Sequence, residues 1–120
     1  MENDIYRAVV CGLSELLGAA QPLVSGNGAR FTSSRRGKAT VYHNDLALGN
    51  RAEVAFHIES MAQRLGIGVA EFRLVADQWR QQTGCPVEVD QQHLWPRVGF
   101  SNIEQVSAIL TLIHERSAQA

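Results

Sequence analysis

The apolar residues of this chain change their spacing from one segment to the next, and this change most constrains the fold. They recur about every 3.6 residues, as on one side of a helix, in 4–20, in 69–83 and from Ser101 onward. Elsewhere they alternate with polar residues, as in strands that have one buried face. The resulting order, α-β-β-β-α-β-β-α, predicts an α+β fold in which three helices pack on an antiparallel sheet of about five strands.

The strand segments are bounded by glycine, proline and polar residues. The predicted strands are 30–33, 38–44, 52–59, 86–90 and 93–100. The third of these also contains residues that favour helices, so a helix over 52–65 is the alternative. Pro96 lacks a backbone donor, and the last strand is therefore predicted to lie at a sheet edge or to carry a bulge.

Specific residues mark the ends of two predicted helices. Gly84 follows the second helix, at the position where a left-handed conformation commonly ends a helix. The sequence Ser101-Asn102-Ile103-Glu104 matches a capping box, in which the Ser101 hydroxyl accepts from the Glu104 amide. The apolar stripe of this last helix consists of Ile103, Val106, Ile109, Leu110 and Ile113.

A chain of 120 residues, of which 45% are hydrophobic, is long and apolar enough for one domain with its own core. We expect a single compact domain over 1–120, with a flexible connector at about 21–30 and a frayed tail at 117–120. No segment resembles a signal peptide or a membrane span, which predicts a cytoplasmic protein without a membrane partner. Cys11 and Cys85 have no metal-binding spacing and are predicted to be free thiols, with a single disulfide as the alternative.

The segment from Arg30 to Lys38 is the most basic part of the chain. It also contains Arg35 and Arg36, and no acidic residue lies between Arg30 and Asn44. A flexible basic hairpin suits contact with phosphate groups, although a solubilising turn at a sheet edge has the same composition. The formal net charge of −1 argues against a protein that coats polyanions with its whole surface.

Pairing strands 38–44 and 52–59 in a hairpin places His43 opposite Glu53 and adds His57 to the same face. Histidine next to a carboxylate is a common general-base arrangement, and two histidines with acidic neighbours also bind divalent metals. Surface charge pairs and subunit interfaces produce the same pattern, so four roles stay open. In this register the core-facing residues are Tyr42, Val54, Phe56 and Ile58, while Ala39 and Val41 face the other way.

His93, Trp95 and Arg97 fall on one face of the last predicted strand. A tryptophan flanked by arginine is typical of a binding patch, although Trp95 packed under a helix is the alternative. The sequence contains no complete catalytic, nucleotide-binding or metal-binding motif.

These observations lead to one main hypothesis and two alternatives. The main hypothesis is a small non-enzymatic binding module, homodimeric, with a protein or small-molecule ligand and neither cofactor nor metal. The first alternative is binding of nucleic acid or a phosphate ligand by the hairpin 30–38. The second is a small enzyme that uses His43 or His57 with Glu53.

Overall fold

A computed structural model of the protein describes residues 3–44, 46–89 and 95–119, with side chains up to Ser117. Within these residues the chain forms four helices and six strands. The helices are α1 (Asp4–Leu17), α2 (Ile58–Arg64), α3 (Val69–Thr83) and α4 (Ile103–Gln119). The strands are β1 (Gln21–Pro22), β2 (Gly28–Ser33), β3 (Gly37–Tyr42), β4 (Ala52–Phe56), β5 (Val87–Glu88) and β6 (Arg97–Phe100).

All six strands join one antiparallel sheet in the order β1-β2-β3-β4-β6-β5. The predicted α+β class and antiparallel sheet are therefore confirmed, while the predicted five strands and three helices fall one short in each case. The additional strand is β1, which pairs with Arg30 and Ala29 and lies in the segment predicted as a connector. The last strand, β6, lies inside the sheet and not at its edge. Pro96 stands just before it, and its carbonyl accepts from the Phe56 amide at 2.9 Å.

The additional helix is α2, which replaces the end of the predicted strand 52–59. The strand ends at Phe56, and His57 becomes the N-cap of the helix because its Nδ1 accepts from the Ser60 amide at 3.2 Å. Ile58 is buried in the helix as it would have been in the strand. The apolar alternation thus continues across the junction, and for this reason the pattern did not show where the strand ends.

The register between β3 and β4 differs by one residue from the predicted one. Tyr42 pairs with Glu53, and Val41 pairs with Val54. Since side chains alternate between faces, a shift of one residue exchanges the two faces of a strand. Val41 therefore lies in the core, and Tyr42 lies on the opposite face together with Glu53.

The four helices cover one face of the sheet and form a single core with it. The largest fully buried side chains of this core include Phe31, Phe56, Phe72, Phe100, Leu13, Leu17, Met61, Ile109 and Ile113. Of the predicted stripe on α4, Val106, Ile109 and Ile113 are buried, whereas Ile103 is 45% exposed.

The predicted end of α3 is confirmed, and the predicted N-cap of α4 is wrong by one residue. Helix α3 has the predicted bounds, and Gly84 ends it in the left-handed region at φ 78°. At α4 the cap lies one residue later than predicted: Asn102 Oδ1 accepts from the Gln105 amide at 2.9 Å, and Gln105 Oε1 accepts from the Ser101 amide at 2.8 Å. Ser101 instead uses its hydroxyl to accept from Asn50 Nδ2 at 2.7 Å. No helix of the described residues is long and apolar enough to cross a membrane.

Candidate functional site

The sheet face opposite the helices carries most of the candidate residues, and we call it the polar face. Along each strand, the residues between the candidates are apolar and point into the core. Because side chains alternate between the two faces, the polar side chains lie together on the opposite face. The polar face consists of Arg30, Thr32, Lys38, Thr40, Tyr42, Glu53, Ala55, Arg97 and Gly99, with Glu88 at one edge. None of the helices described above packs on it. The loop 46–51 crosses one end, where the Leu48 amide reaches Glu53.

One row of paired residues crosses the polar face. Arg30 pairs with Thr40, Thr40 with Ala55, Ala55 with Arg97, and Arg97 with Glu88. Three strand spacings separate Arg30 from Arg97, which is about 14 Å. Ala55 is small and only 3% exposed, so it forms a floor between the larger side chains on either side.

Arg97 is held in place by a buried carboxylate. Its Nη1 donates to Glu53 Oε1 at 2.7 Å, while Glu53 Oε2 accepts from the Leu48 amide at 3.1 Å. The Arg97 guanidinium lies 5.5 Å from the centroid of the Tyr42 ring, a cation–π distance. Glu53 is completely buried. One of its oxygens holds Arg97, and the other holds the loop at Leu48. The sequence analysis missed Tyr42 because the predicted register placed it in the core, whereas the observed register places it beside Glu53.

Trp95 lies two residues before Arg97, with the buried Pro96 between them, and so extends the polar face at its other end, where it packs against His57. The two rings meet edge to face, with their centroids 5.0 Å apart. The Ser60 hydroxyl accepts from the Lys38 amide at 2.9 Å and lies 2.8 Å from His57 Nδ1. The same Nδ1 accepts from the Ser60 amide, so Ser60 is bonded to both His57 and Lys38. His57 thus caps α2 and supports Trp95.

The predicted pair of histidine and carboxylate does not form. His43 lies on the helical side of the sheet, where its ring meets Tyr6 at 4.7 Å. His57 lies four residues after Glu53, about 13 Å away along an extended chain. The structure therefore keeps His43, His57 and Glu53 apart. His93, the third member of the predicted patch with Trp95 and Arg97, lies outside the described residues.

The cations of the hairpin 30–38 do not all lie on the polar face. Arg30 and Lys38 lie on the polar face, and Arg35 is exposed in the turn. Arg36 differs, because its carbonyl accepts from Arg64 Nη1 at 2.9 Å and its charge lies close to Arg64. Burial lowers the pKa of Arg64, and the charge of Arg36 lowers it further. Arg36 therefore belongs partly to the contact between the hairpin and α2.

The polar face carries more positive than negative charge. Among the described residues Arg30, Arg35 and Lys38 make no ion pair, whereas Glu53 is neutralised by Arg97. The described residues contain no group of three or more His, Cys, Asp or Glu side chains placed to hold a metal ion. The arrangement suits the binding of an anion beside partly exposed aromatic rings.

Comparison with known proteins adds no assignment to this geometry. No protein-family model matches the chain, and no similarity to curated proteins or to solved structures was found.

Proposed function

We propose that this protein is a non-enzymatic binding module that takes single-stranded nucleic acid on its polar face. One observation carries the proposal: two sets of residues that are far apart in sequence share this face. The first set lies in the hairpin of β2 and β3 and consists of Arg30, Lys38 and Tyr42, and the second consists of Arg97 in β6 and Trp95 just before it. Cations that contact phosphates, next to aromatic rings that stack on bases, are the usual components of single-strand recognition.

The aromatic side chains are held where a base could reach them. Tyr42 and Trp95 are both partly exposed, and each is supported from one side, by Arg97 and by His57 respectively. Such support fixes the ring orientation before a ligand arrives, which lowers the entropy lost on binding. A stacked base contributes about 1–3 kcal/mol in single-strand complexes.

The charge of the polar face favours an anionic ligand over a second copy of this chain. In a symmetric dimer the same patch meets itself, so the unpaired charges of Arg30, Lys38 and Arg35 would need carboxylates on the facing copy. Glu53 is buried and already bonded to Arg97, and Glu88 lies at the sheet edge. A phosphate backbone supplies the missing negative charge directly.

The experiment is a fluorescence anisotropy titration of labelled 12-nucleotide single-stranded DNA and RNA at several salt concentrations. The double variant Arg30→Ser/Arg35→Ser should bind more weakly, with a slope of log K against log salt shallower by about 1.4, because each single-strand phosphate contact contributes about 0.7. The matched control is Arg7→Ser, an exposed arginine on α1 in the helical layer. It should leave the salt slope unchanged.

Trp95→Ala tests the stacking part of the proposal. We expect it to lower affinity about 5- to 100-fold, and Trp95→Phe to retain most of the affinity. A thermal melt of each variant checks that the fold is intact. The proposal is wrong if the wild type binds no oligonucleotide at low salt, or if Arg7→Ser weakens binding as much as the hairpin variant.

Self-association through the polar face is the second candidate, because tryptophan, tyrosine and arginine are also the residues enriched at interface centres. Sedimentation velocity of the wild type and of Trp95→Ala distinguishes the two. A wild-type dimer that the substitution converts to a monomer would identify the polar face as a subunit interface.

A further inference from the structure

A second surface lies in the helical layer, on the other side of the molecule from the polar face. It is a groove of about 530 Å³ between the end of α3 and the length of α4. Ala108 and Leu112 of α4 line its apolar part, and Ile103, which is 45% exposed, lies at one end. The groove follows α4 for about three turns, which is about 16 Å.

Two carboxylates border this groove. Glu104 and Glu115 lie near its opposite ends, and the described residues that line it include no lysine, arginine or histidine. Thr83, the last residue of α3, also lines it, so the partly negative C-terminal end of that helix faces the same space. An adjacent groove of about 360 Å³ between α1 and α4 shares Glu115 and adds Glu15. The apolar residues Ala108 and Leu112 therefore lie between carboxylates, beside the hydroxyl groups of Ser107 and Thr111, and the adjacent groove also contains His114.

We propose that the groove between α3 and α4 binds a basic amphipathic helix of a partner protein. One side of α4 lines the groove for about three turns, and the end of α3, at Gln82 and Thr83, borders it. Such a surface accepts the apolar side of another helix, with contacts at positions i, i+3, i+4 and i+7. Lysine or arginine residues about eleven positions apart on the partner would reach Glu104 and Glu115 at the two ends. Charge complementarity of this kind selects a basic partner over an acidic one.

A second copy of this chain fits the groove less well. Helix α3 carries Arg80, but this arginine is paired with Asp77 at 2.9 Å and also donates to the Val87 carbonyl. In a symmetric antiparallel contact of α4 with itself, Glu104 would meet Glu115 of the other copy, which is repulsive. A basic helix of another protein therefore fits the groove better than α3 or α4 of a second copy.

The test uses a 16-residue helical peptide with leucines at helical spacing and lysines on both flanks, and a second peptide in which glutamates replace the lysines. Chemical shifts of the ¹⁵N-labelled protein report where each peptide binds, which separates this groove from the polar face. With the lysine peptide we expect shifts at Gln82, Ser107, Thr111 and Leu112, and none at Thr40 or Ala55.

The variant Glu104→Gln/Glu115→Gln should weaken binding of the lysine peptide about 2- to 30-fold, since each exposed charge pair contributes about 0.2–1 kcal/mol. The control is Glu71→Gln, which removes an exposed carboxylate from the first turn of α3 and should leave binding unchanged. Ser107→Arg, which puts a long cationic side chain into the groove, should also block the peptide.

Four results would overturn this inference: no shifts with the lysine peptide at millimolar concentration, equal shifts at the groove with the glutamate peptide, unchanged affinity of Glu104→Gln/Glu115→Gln, or a wild-type dimer that Ser107→Arg converts to a monomer. The last result would show that a second copy occupies the groove. None of them depends on whether the polar face binds nucleic acid.

Discussion

At the scale of single residues, Glu53 shows how a carboxylate near histidines in sequence can have a structural role. Its position on the polar face would leave it accessible, but Arg97 and the loop around Leu48 cover it completely. A buried carboxylate with both oxygens bonded stabilises one arrangement of its neighbours. Here it orients Arg97 over Tyr42, so the proposed binding surface depends on a residue that the ligand does not touch.

Glu53→Ala should therefore destabilise the protein by about 3 kcal/mol, because it leaves Arg97 without its partner and the Leu48 amide without an acceptor. The estimate is at the lower end for a buried pair, since the Arg97 side chain is 27% exposed. Urea unfolding measures the change. Arg97→Met and the double variant complete a mutant cycle, and additive effects would contradict a direct coupling between Glu53 and Arg97.

The two cysteines should differ sharply in reactivity. Cys11 is exposed, whereas Cys85 is fully buried. Burial raises the pKa of the Cys85 thiol, and a hydrogen bond from Thr83 offsets part of this rise. An aromatic disulfide reagent should modify one thiol per native molecule and two in urea. In Cys11→Ser no thiol should react under native conditions, and rapid modification of this variant would show that Cys85 is accessible.

The raised pKa of the Cys85 thiol makes the stability of the protein depend on pH. Because the folded state holds the Cys85 proton more tightly than the unfolded chain, the folded state is favoured below the ordinary thiol pKa of 9.0, and stability falls as pH rises above it. Thermal melts of Cys11→Ser and Cys11→Ser/Cys85→Ala between pH 7 and 10.5 measure this loss. The single variant should lose more stability across that range than the double variant.

At the scale of helices and strands, the sequence predicts the bounds of an element well where one apolar pattern persists over many residues. Helix α3 has four buried residues on one stripe and a glycine at its end, and the sequence predicted both its bounds. Helix α2 has only seven residues, and its first buried residue continues the alternation of β4. A short helix after a strand differs from a longer strand mainly in its cap, and the His57 cap is not among the common ones.

The cap of α4 offers a test within one helix. Asn102→Ala should cost about 1 kcal/mol, because Asn102 accepts from the Gln105 amide at the helix start. Ser101→Ala should cost less, since it removes only the exposed hydrogen bond from Asn50. Chemical denaturation of both variants decides which residue is the cap. A larger loss of stability for Ser101→Ala would show that Ser101 is the N-cap, as the sequence predicted.

At the scale of the whole molecule, the polar face combines residues from five strands, and the sequence shows only part of this arrangement. It predicts the hairpin from local turn residues, and it predicts Trp95 and Arg97 as neighbours. It does not show that Arg97 and Arg30 lie on one row, because that depends on two registers and on β6 pairing with β4. Such pairings join residues far apart in the chain, and local patterns carry no information about them.

Helix α4 packs on β6 and beside α1 and α3, and its buried side forms part of the single core. Ile109→Asp should cost more than about 4 kcal/mol and leave little folded protein, since it buries an unpaired charge at a position that is 1% exposed. Ser107→Asp, two residues earlier on the exposed side of α4, is the matched control and should change stability by less than about 0.5 kcal/mol. Circular dichroism and cooperative melting measure both. A cooperative melt of Ile109→Asp near the wild-type temperature would show that α4 packs through another side.

The position of β6 has a consequence for synthesis of the protein on the ribosome. Strands β1 to β4 emerge first and form a meander, but β4 then has a free edge until residues 97–100 have left the exit tunnel. At about 5–20 residues per second, roughly 40 further residues take a few seconds. During that interval the unpaired edge of β4 is open to strands of other nascent chains. The time between β4 and β6 is therefore the period in which this edge is most exposed to pairing with other chains.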